Sequence, residues 1–198
     1  MRTCPLCGSA ATGTKEAKFL CKRCHVLLDN HMMGMILGRF QPFHNGHLEL
    51  VRSAAHEVDR LVIVIGSSLK HGTAENPFTA EERRDMIEAV LKEESIPDYT
   101  IVAVSDILLD EEYVNHVRQF TPPFNIVYAG TNALTAKLFG EAGFDIRTCD
   151  RFGNIEGSVI RKKMLTNNDW KKDVPKKVAE YIEKIDGVNR IKKLFVQG

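Results

Sequence analysis

The run Leu61-Val62-Ile63-Val64-Ile65 constrains the fold of this chain more than any other feature of its sequence. Every residue in the run is apolar, and most are β-branched, which favours a strand. A strand with one face in water alternates polar and apolar residues, whereas an unbroken apolar run is typical of a strand buried on both faces. The run therefore predicts an inner strand of a parallel sheet that is covered by helices.

Short apolar runs and amphipathic segments alternate along the chain from Met35 onward, as expected for parallel strands joined by crossover helices. Four further strands are predicted, at residues 35–38, 101–104, 125–129 and 144–147. Helices are predicted at 47–58, after a capping box at 79–82, and at 111–119, 133–142 and 158–165. The predicted fold class is α/β, a Rossmann-like five-stranded parallel sheet with helices on both faces.

Four of the five cysteines lie in the first 24 residues, in two Cys-x-x-Cys pairs that are separated by 13 residues. Cysteines with this spacing are typical of a structural, tetrahedral zinc site. About 28 residues bury too little apolar area to fold alone, so the metal would supply the folding energy. We expect a zinc ribbon over residues 1–31 and a second domain over residues 35–198, with iron as an open alternative to zinc. The expected metal ligands are Cys4, Cys7, Cys21 and Cys24.

The balance of charge argues against a protein that binds polyanions through bulk charge. The chain has 27 Lys and Arg against 26 Asp and Glu, a net charge of +1, although residues 1–31 alone carry +3. Nucleic acid is therefore not the expected partner. No apolar run approaches the ~20 residues that span a bilayer, and the first residues lack the apolar core of a secretory signal. The sequence thus favours the cytoplasm, with no membrane contact.

The loop that follows the first predicted strand leads into the first predicted helix, which is where ligands of parallel sheets bind. Gly38 is expected to allow a sharp turn there, and Gly46 to leave room for a ligand at the start of the helix. His44 and His47 are three residues apart, at a helix start whose free N–H groups attract phosphate. Arg39 adds a positive charge that suits phosphate oxygens. This loop is predicted to bind a polyphosphate.

A second loop has the sequence Gly157-Ser158-Val159-Ile160-Arg161 and precedes the last predicted helix. Ser158 is expected to be the N-cap of that helix. Its hydroxyl, the free backbone amides and Arg161 would together hold another phosphate. Taken alone, the same residues also fit a capped surface helix with solvated basic side chains.

Residues 38–47, Gly-Arg-Phe-Gln-Pro-Phe-His-Asn-Gly-His, resemble the signature of the nucleotidyltransferases that carry a His-x-Gly-His motif. The resemblance is to the archaeal-type nicotinamide-nucleotide adenylyltransferases and covers essentially residues 35–195. Its further motifs lie at residues 76–83, 121–124, 127–130 and 186–188. The resemblance implies an enzyme that joins ATP and nicotinamide mononucleotide to give NAD and pyrophosphate, with Mg²⁺ bound to the ATP phosphates.

The resemblance also implies which residues bind substrates. The implied ATP-binding residues are Gly38, Arg39, Phe40, Gln41, His44, Gly46, His47, Gly130, Ser158 and Arg161. Among them, the implied catalytic residues are His44, His47, Arg39 and Arg161, which would contact the phosphates. Relatives stack the nicotinamide ring of the acceptor on an aromatic side chain, and Tyr113 stands at that position. Relatives also tend to be multimeric, which implies a homo-oligomer.

Two departures from the family pattern leave alternatives open. Glu75 stands where relatives carry Arg, and relatives usually lack the cysteine-rich segment. Another phosphorylated acceptor, such as nicotinate mononucleotide, FMN or phosphopantetheine, therefore stays open. A zinc-ribbon nucleic-acid-binding or scaffold protein with an inactive transferase domain is the competing hypothesis.

Overall fold

The computed structural model describes residues 31–148, 155–166 and 168–196, and the four cysteines of the predicted ribbon lie outside these residues. The five strands are β1 (Met33–Gly38), β2 (Arg60–Ile65), β3 (Tyr99–Ala103), β4 (Ile126–Tyr128) and β5 (Asp145–Arg147). They form one parallel sheet in the order β3-β2-β1-β4-β5. The predicted five-stranded parallel sheet is confirmed.

Seven α-helices and one 3₁₀ turn are described beside the sheet. The helices are α1 (Asn45–Glu57), α2 (Ala80–Glu93), α3 (Asp110–Phe120), α4 (Ala133–Glu141), α5 (Gly157–Leu165), α6 (Lys176–Lys184) and α7 (Gly187–Val196). The 3₁₀ turn spans Lys171–Asp173. The first five helices match the predicted segments to within a few residues, whereas α6 and α7 were not predicted.

Strand β2 is buried on both faces, as its apolar run predicts. Leu61, Ile63 and Ile65 pack into one core with α1, α2 and the C-terminal helices. Val62 and Val64 pack into a second core on the opposite face with residues of α3 and α4. The sheet is therefore the middle layer of three, and its central strands have no solvent-facing side.

Capping side chains fix the starts of α1, α2 and α4. Thr79 caps α2, and Glu82 completes the predicted capping box by accepting from the Thr79 N–H at 2.9 Å. Glu82 also pairs with Arg190 of α7 at 2.8 Å, which ties the C-terminal helix to the start of α2. Nearby, the Tyr181 hydroxyl of α6 donates to Asp85 at 2.7 Å. The two C-terminal helices thereby cover α2 and complete the first core.

The strand order defines where a ligand can enter. From β1 the chain passes through α1 to β2, which pairs with one side of β1. Strand β4 pairs with the other side of β1 and leads to α4. Loops that leave β1 and β4 in opposite directions open a crevice at the carboxyl ends of these two strands.

None of the helices that the structure describes is long and apolar enough to cross a membrane.

Candidate active site

A cleft of about 1010 Å³ opens at the carboxyl ends of β1 and β4, at the point where the strand order reverses. This volume is ample for a nucleotide. The loop after β1, the start of α1, the loop after β4 and the start of α5 line its wall. The two loops singled out from sequence therefore meet in one cleft, although they are more than 100 residues apart.

His44 and His47 cap each other's backbone at the start of α1. The Nδ1 of His44 accepts from the His47 N–H at 3.4 Å, and the Nδ1 of His47 accepts from the His44 N–H at 3.3 Å. Their rings stack, with centroids 3.6 Å apart and an interplanar angle of 20°. A neutral imidazole whose Nδ1 accepts a hydrogen bond carries its proton on Nε2. Each ring therefore keeps one Nε2–H donor for a ligand.

Burial keeps both imidazoles neutral. His44 is only 8% exposed, and desolvation lowers its pKa to about 4, against a smaller opposing effect of Asp173. Desolvation also lowers the pKa of His47 well below its usual value, and the neighbouring His44 adds to this effect. At neutral pH the pair therefore offers two N–H donors without a net charge until an anion arrives.

Arg161 of α5 joins the second loop to the first. It is 8% exposed, and its Nη1 donates to the Gln41 carbonyl at 2.7 Å while its Nε donates to the Ala74 carbonyl at 3.1 Å. Burial lowers its pKa, the nearby Arg39 lowers it further, and Glu75 acts in the opposite direction. Two guanidinium groups thus lie close together at the cleft, which favours a polyanion.

Gly157 allows α5 to approach the first loop. A Cβ at this position would lie 2.8 Å from the Gln41 carbonyl oxygen, which is closer than real contacts allow. Ser158 is exposed and lies inside α5, whose N-cap is Glu156, and the Ser158 hydroxyl donates to the Glu156 carboxylate at 3.3 Å. The prediction of Ser158 as the N-cap is therefore wrong, because the N-cap lies two residues earlier, at Glu156.

The start of the first loop holds residues with different tasks. Arg39 is exposed at the cleft, whereas the ring of Phe40 is buried and contacts His47 edge-on, with centroids 4.8 Å apart. A Cβ on Gly38 would lie 2.9 Å from the Phe40 ring. The prediction that Gly38 allows the sharp turn is wrong, since the residue with positive φ is Phe40, at 52°. Gly38 is needed for the close approach of that ring.

Gln41 lines the cleft but its side chain is already paired. Its Nε2 donates to the Phe78 carbonyl at 2.9 Å, and its Oε1 accepts from the Phe78 N–H at 3.0 Å. The amide therefore holds the loop against the start of α2. Gly46 and Gly130 also line the cleft: Gly46 gives space to the His44 ring, and Gly130 has φ of 55°.

Tyr113 lies outside the cleft wall, on α3 at the opposite face of the sheet. Its hydroxyl comes within 3.8 Å of a Cβ built on Gly66, which directly follows β2. Burial raises the pKa of Tyr113, and the nearby Asp106 adds to this. The residues predicted to bind ATP and the aromatic residue predicted to bind the acceptor therefore both lie near the carboxyl ends of the strands. Tyr113 lies near the end of β2, on the opposite side of β1 from β4.

Two contributions to the site had no clear signal in the sequence. The Asn45 amide donates to the Lys172 carbonyl at 2.9 Å and so fastens the 3₁₀ turn to the start of α1. Asp173 of that turn pairs with Lys163 of α5 and raises the pKa of His44 against burial. These contacts depend on tertiary structure, because the turn follows His44 by more than 120 residues.

No group of three or more His, Cys, Asp or Glu among the described residues could hold a metal ion. The cleft instead presents nitrogen donors from imidazole, guanidinium and helix N-terminal groups. Such a wall binds phosphate oxygens, and it suits a cation that enters with a polyphosphate, because Mg²⁺ keeps water and phosphate ligands rather than requiring a protein cage.

The chain is similar to known proteins along most of its length. Residues 35–138 match the model of the cytidylyltransferase-like family. Two archaeal relatives are named nicotinamide-nucleotide adenylyltransferase. The protein from Methanococcus aeolicus is 44% identical over 165 residues, which cover 82% of this chain and 95% of the relative. The protein from Picrophilus torridus is also 44% identical over 165 residues, 82% of this chain and 97% of the relative.

Solved structures support the fold. A bifunctional NMN adenylyltransferase/ADP ribose pyrophosphatase from Francisella tularensis, crystallised with AMP and a manganese ion, matches with a TM-score of 0.61 and 20% identity. The match covers 85% of this chain and 56% of that longer one. By its sequence and fold, the present chain belongs to the nicotinamide-nucleotide adenylyltransferases of the cytidylyltransferase-like family.

Proposed function

We propose that this chain transfers the adenylyl group of ATP to nicotinamide mononucleotide, giving NAD and pyrophosphate. The observation that carries this proposal is that two imidazoles, each accepting a backbone hydrogen bond at Nδ1, and two guanidinium groups line one cleft between the starts of α1 and α5. The names of the archaeal relatives supply the same reaction.

The reaction needs no protein nucleophile or general base. A phosphate oxygen of the acceptor is already anionic at pH 7 and attacks the α-phosphorus of ATP in line. The bond from the α-phosphorus to the bridging oxygen breaks, and pyrophosphate leaves with the electron pair. Catalysis is then positioning together with stabilisation of the charge that grows on the phosphates.

His44, His47 and Arg161 are suited to that stabilisation. Their remaining donors are held by packing and by backbone hydrogen bonds, so they need little reorganisation when charge develops. Arg39, exposed at the rim, would close on the phosphates from the opposite side. Mg²⁺, when bound with ATP, would neutralise charge on the phosphate oxygens, and the residues that the structure describes contribute no carboxylate cage to it.

Tyr113 is the proposed platform for the nicotinamide ring. A Tyr ring offers a flat apolar face for stacking, and this one lies at the same sheet edge as the cleft. Tyr113→Phe should preserve the KM for nicotinamide mononucleotide, whereas Tyr113→Ala should raise it and leave the KM for ATP nearly unchanged.

The decisive experiment is pyrophosphate release by the full chain with Mg²⁺, ATP and each of four acceptors. Nicotinamide mononucleotide should support the fastest release, ahead of nicotinate mononucleotide, FMN and phosphopantetheine. Equal or faster release with another acceptor would reassign the substrate. No release with any acceptor, together with salt-dependent binding of mixed DNA or RNA, would favour the nucleic-acid-binding alternative.

We also propose a zinc ribbon over residues 1–31, and the support for it is the spacing of Cys4, Cys7, Cys21 and Cys24. The second domain, residues 35–198, would carry the catalytic activity. Cysteines that bind a metal must stay reduced, which a reducing compartment ensures, and this supports the cytoplasm as the site of action. Assembly into a homo-oligomer stays a prediction, for which sedimentation of the full chain is the direct measurement.

A further inference from the structure

The side chain of Arg83, in the first turn of α2, is completely buried, with 0% of the residue exposed. It makes no ion pair with any carboxylate in the part of the chain that the structure describes. Burial lowers its pKa to about 10, against a smaller opposing effect of Asp106, so the group stays charged at neutral pH. A buried charge without an ion-pair partner is costly for folding unless hydrogen bonds satisfy its donors.

The hydrogen bonds that the structure describes for this guanidinium go to backbone carbonyls, three of them just beyond the carboxyl ends of β1 and β2. Nη1 donates to the Arg39 carbonyl at 2.8 Å and to the Gly66 carbonyl at 2.9 Å. Nη2 donates to the Ser67 carbonyl at 3.2 Å, and Nε donates to the Thr79 carbonyl at 3.1 Å. One side chain thereby joins the loop after β1, the loop after β2 and the start of α2.

The chemistry of this junction requires a guanidinium. Its three nitrogens form a planar fork that directs hydrogen bonds towards four carbonyls at once, whereas a Lys ammonium presents its donors from a single atom. The Arg39 carbonyl is the contact nearest to the cleft, since the Arg39 side chain itself is exposed at the cleft wall. Because this hydrogen bond holds the Arg39 carbonyl in place, it also holds the Arg39 Cα, from which the side chain extends.

We propose that Arg83 is a positioning residue for adenylyl transfer, which holds the backbone of the loop after β1 so that Arg39 is presented to the triphosphate. This inference rests on the proposed function of the cleft. Arg83 does not contact the substrate in this arrangement; it acts through Arg39.

A double-mutant cycle on kcat/KM for ATP tests this inference. Arg83→Lys should lower kcat/KM by about tenfold to a hundredfold, the size expected when a binding group is misplaced by about 1 Å. Arg39→Ala should cause a comparable loss. The double variant should lose little more than Arg39→Ala alone, because Arg83 has no route to the substrate once the Arg39 side chain is gone.

The adjacent Arg84 provides a matched control. It also binds a backbone carbonyl, that of Ile101 at 2.7 Å, but on β3 and away from the cleft. Arg84→Lys should stay within about twofold of the unaltered chain, and its effect should be equal in both Arg39 backgrounds. Circular dichroism melting of every variant separates loss of fold from loss of positioning. If Arg83→Lys does not fold, Arg83→Gln, whose planar amide keeps two donors, takes its place in the cycle.

The outcomes separate the two proposals. An Arg83 variant with unaltered kcat/KM, or losses that multiply fully in the double variant, would overturn the positioning role. A folded, unsubstituted chain that releases no pyrophosphate would overturn the proposed function itself. A loss in Arg39→Ala without a loss in Arg83→Lys would leave the proposed function standing and remove only the inference on Arg83.

Discussion

The contact between α5 and the first loop predicts that Gly157→Ala damages activity more than stability. A Cβ at residue 157 would lie 2.8 Å from the Gln41 carbonyl oxygen, whereas ordinary contacts begin near 3.4 Å. The start of α5 would therefore have to move by about 0.6 Å. The opposing atom belongs to the backbone, and the Arg161–Gln41 hydrogen bond of 2.7 Å would lengthen towards the limit of a normal bond.

The size of the effect follows from this displacement. A misplacement of about 1 Å costs up to about a hundredfold in rate, so about 0.6 Å should lower kcat/KM roughly tenfold to thirtyfold. Overpacking costs about 1–3 kcal/mol of unfolding free energy, partly offset by the roughly 0.5–1 kcal/mol that Ala gains over Gly in a helix. We expect a fall in Tm of only a few degrees.

Gly140→Ala is the matched control, because it makes the same change in a helix on the other face of the sheet. A Cβ there would lie 3.5 Å from the Ile146 side chain, an ordinary contact. The control should keep full activity and a Tm that is equal or slightly higher. Pyrophosphate release and thermal melting would be measured on both variants. A Gly157→Ala chain within twofold of the original kcat/KM would refute the close packing of the two loops.

Further predictions concern the histidines, one carboxylate and the cysteine-rich segment. His47→Ala should lower kcat at least about a hundredfold and also lower Tm, because it removes both a donor and half of the capping box; Thr79→Ala, which removes a comparable cap from α2, should lower Tm alone. The pKa of His44 lies at about 4 when folded, below its ordinary 6.5, so the unfolded chain takes up this proton first on acidification. The contribution of neutral His44 to the free energy of unfolding should thus be complete above pH 6.5 and should decrease by up to about 1.4 kcal/mol per pH unit towards pH 4. Urea titrations would contradict this if His44→Gln and the original chain lost unfolding free energy equally steeply with falling pH. Glu75→Gln should tighten ATP binding about twofold to fivefold in calorimetry, since an exposed negative charge near the cleft is removed; unchanged or weaker binding would refute its influence. Cys4→Ser should abolish binding of one zinc ion per chain, measured by atomic absorption, and leave kcat unchanged; full zinc content in this variant would exclude the ribbon.

The fold was largely predictable because its central strands are buried. A strand such as β2, with helices on both faces, must be apolar throughout, and that pattern is visible without tertiary information. The helices α6 and α7 were missed although Val178 and Ile182 have helical spacing. The turn between them, at Asp186 with φ of 54°, coincides with the Asp186-Gly187 dipeptide, an ordinary turn signal, so both helices were within reach of the sequence.

The candidate site was predictable in its residue types but not in its connections. The carboxyl ends of parallel strands all lie on the same side of a sheet, so His44 and Arg161, which follow strands, could both be assigned to that side. The reciprocal caps that fix the imidazole tautomers depend on ring rotamers, and the Arg161–Gln41 bond spans 120 residues. Arg83 looked like an ordinary helix residue, because nothing local distinguishes a buried arginine from an exposed one.

The most direct measurement is a crystal structure of the chain with Mg²⁺ and α,β-methylene-ATP, a form of ATP that cannot lose pyrophosphate. We expect phosphate oxygens about 2.7–3.2 Å from Nε2 of His44 and His47 and from the Arg161 guanidinium, in the cleft between the starts of α1 and α5. A triphosphate bound elsewhere, or imidazoles that keep Nε2 away from it, would contradict the account.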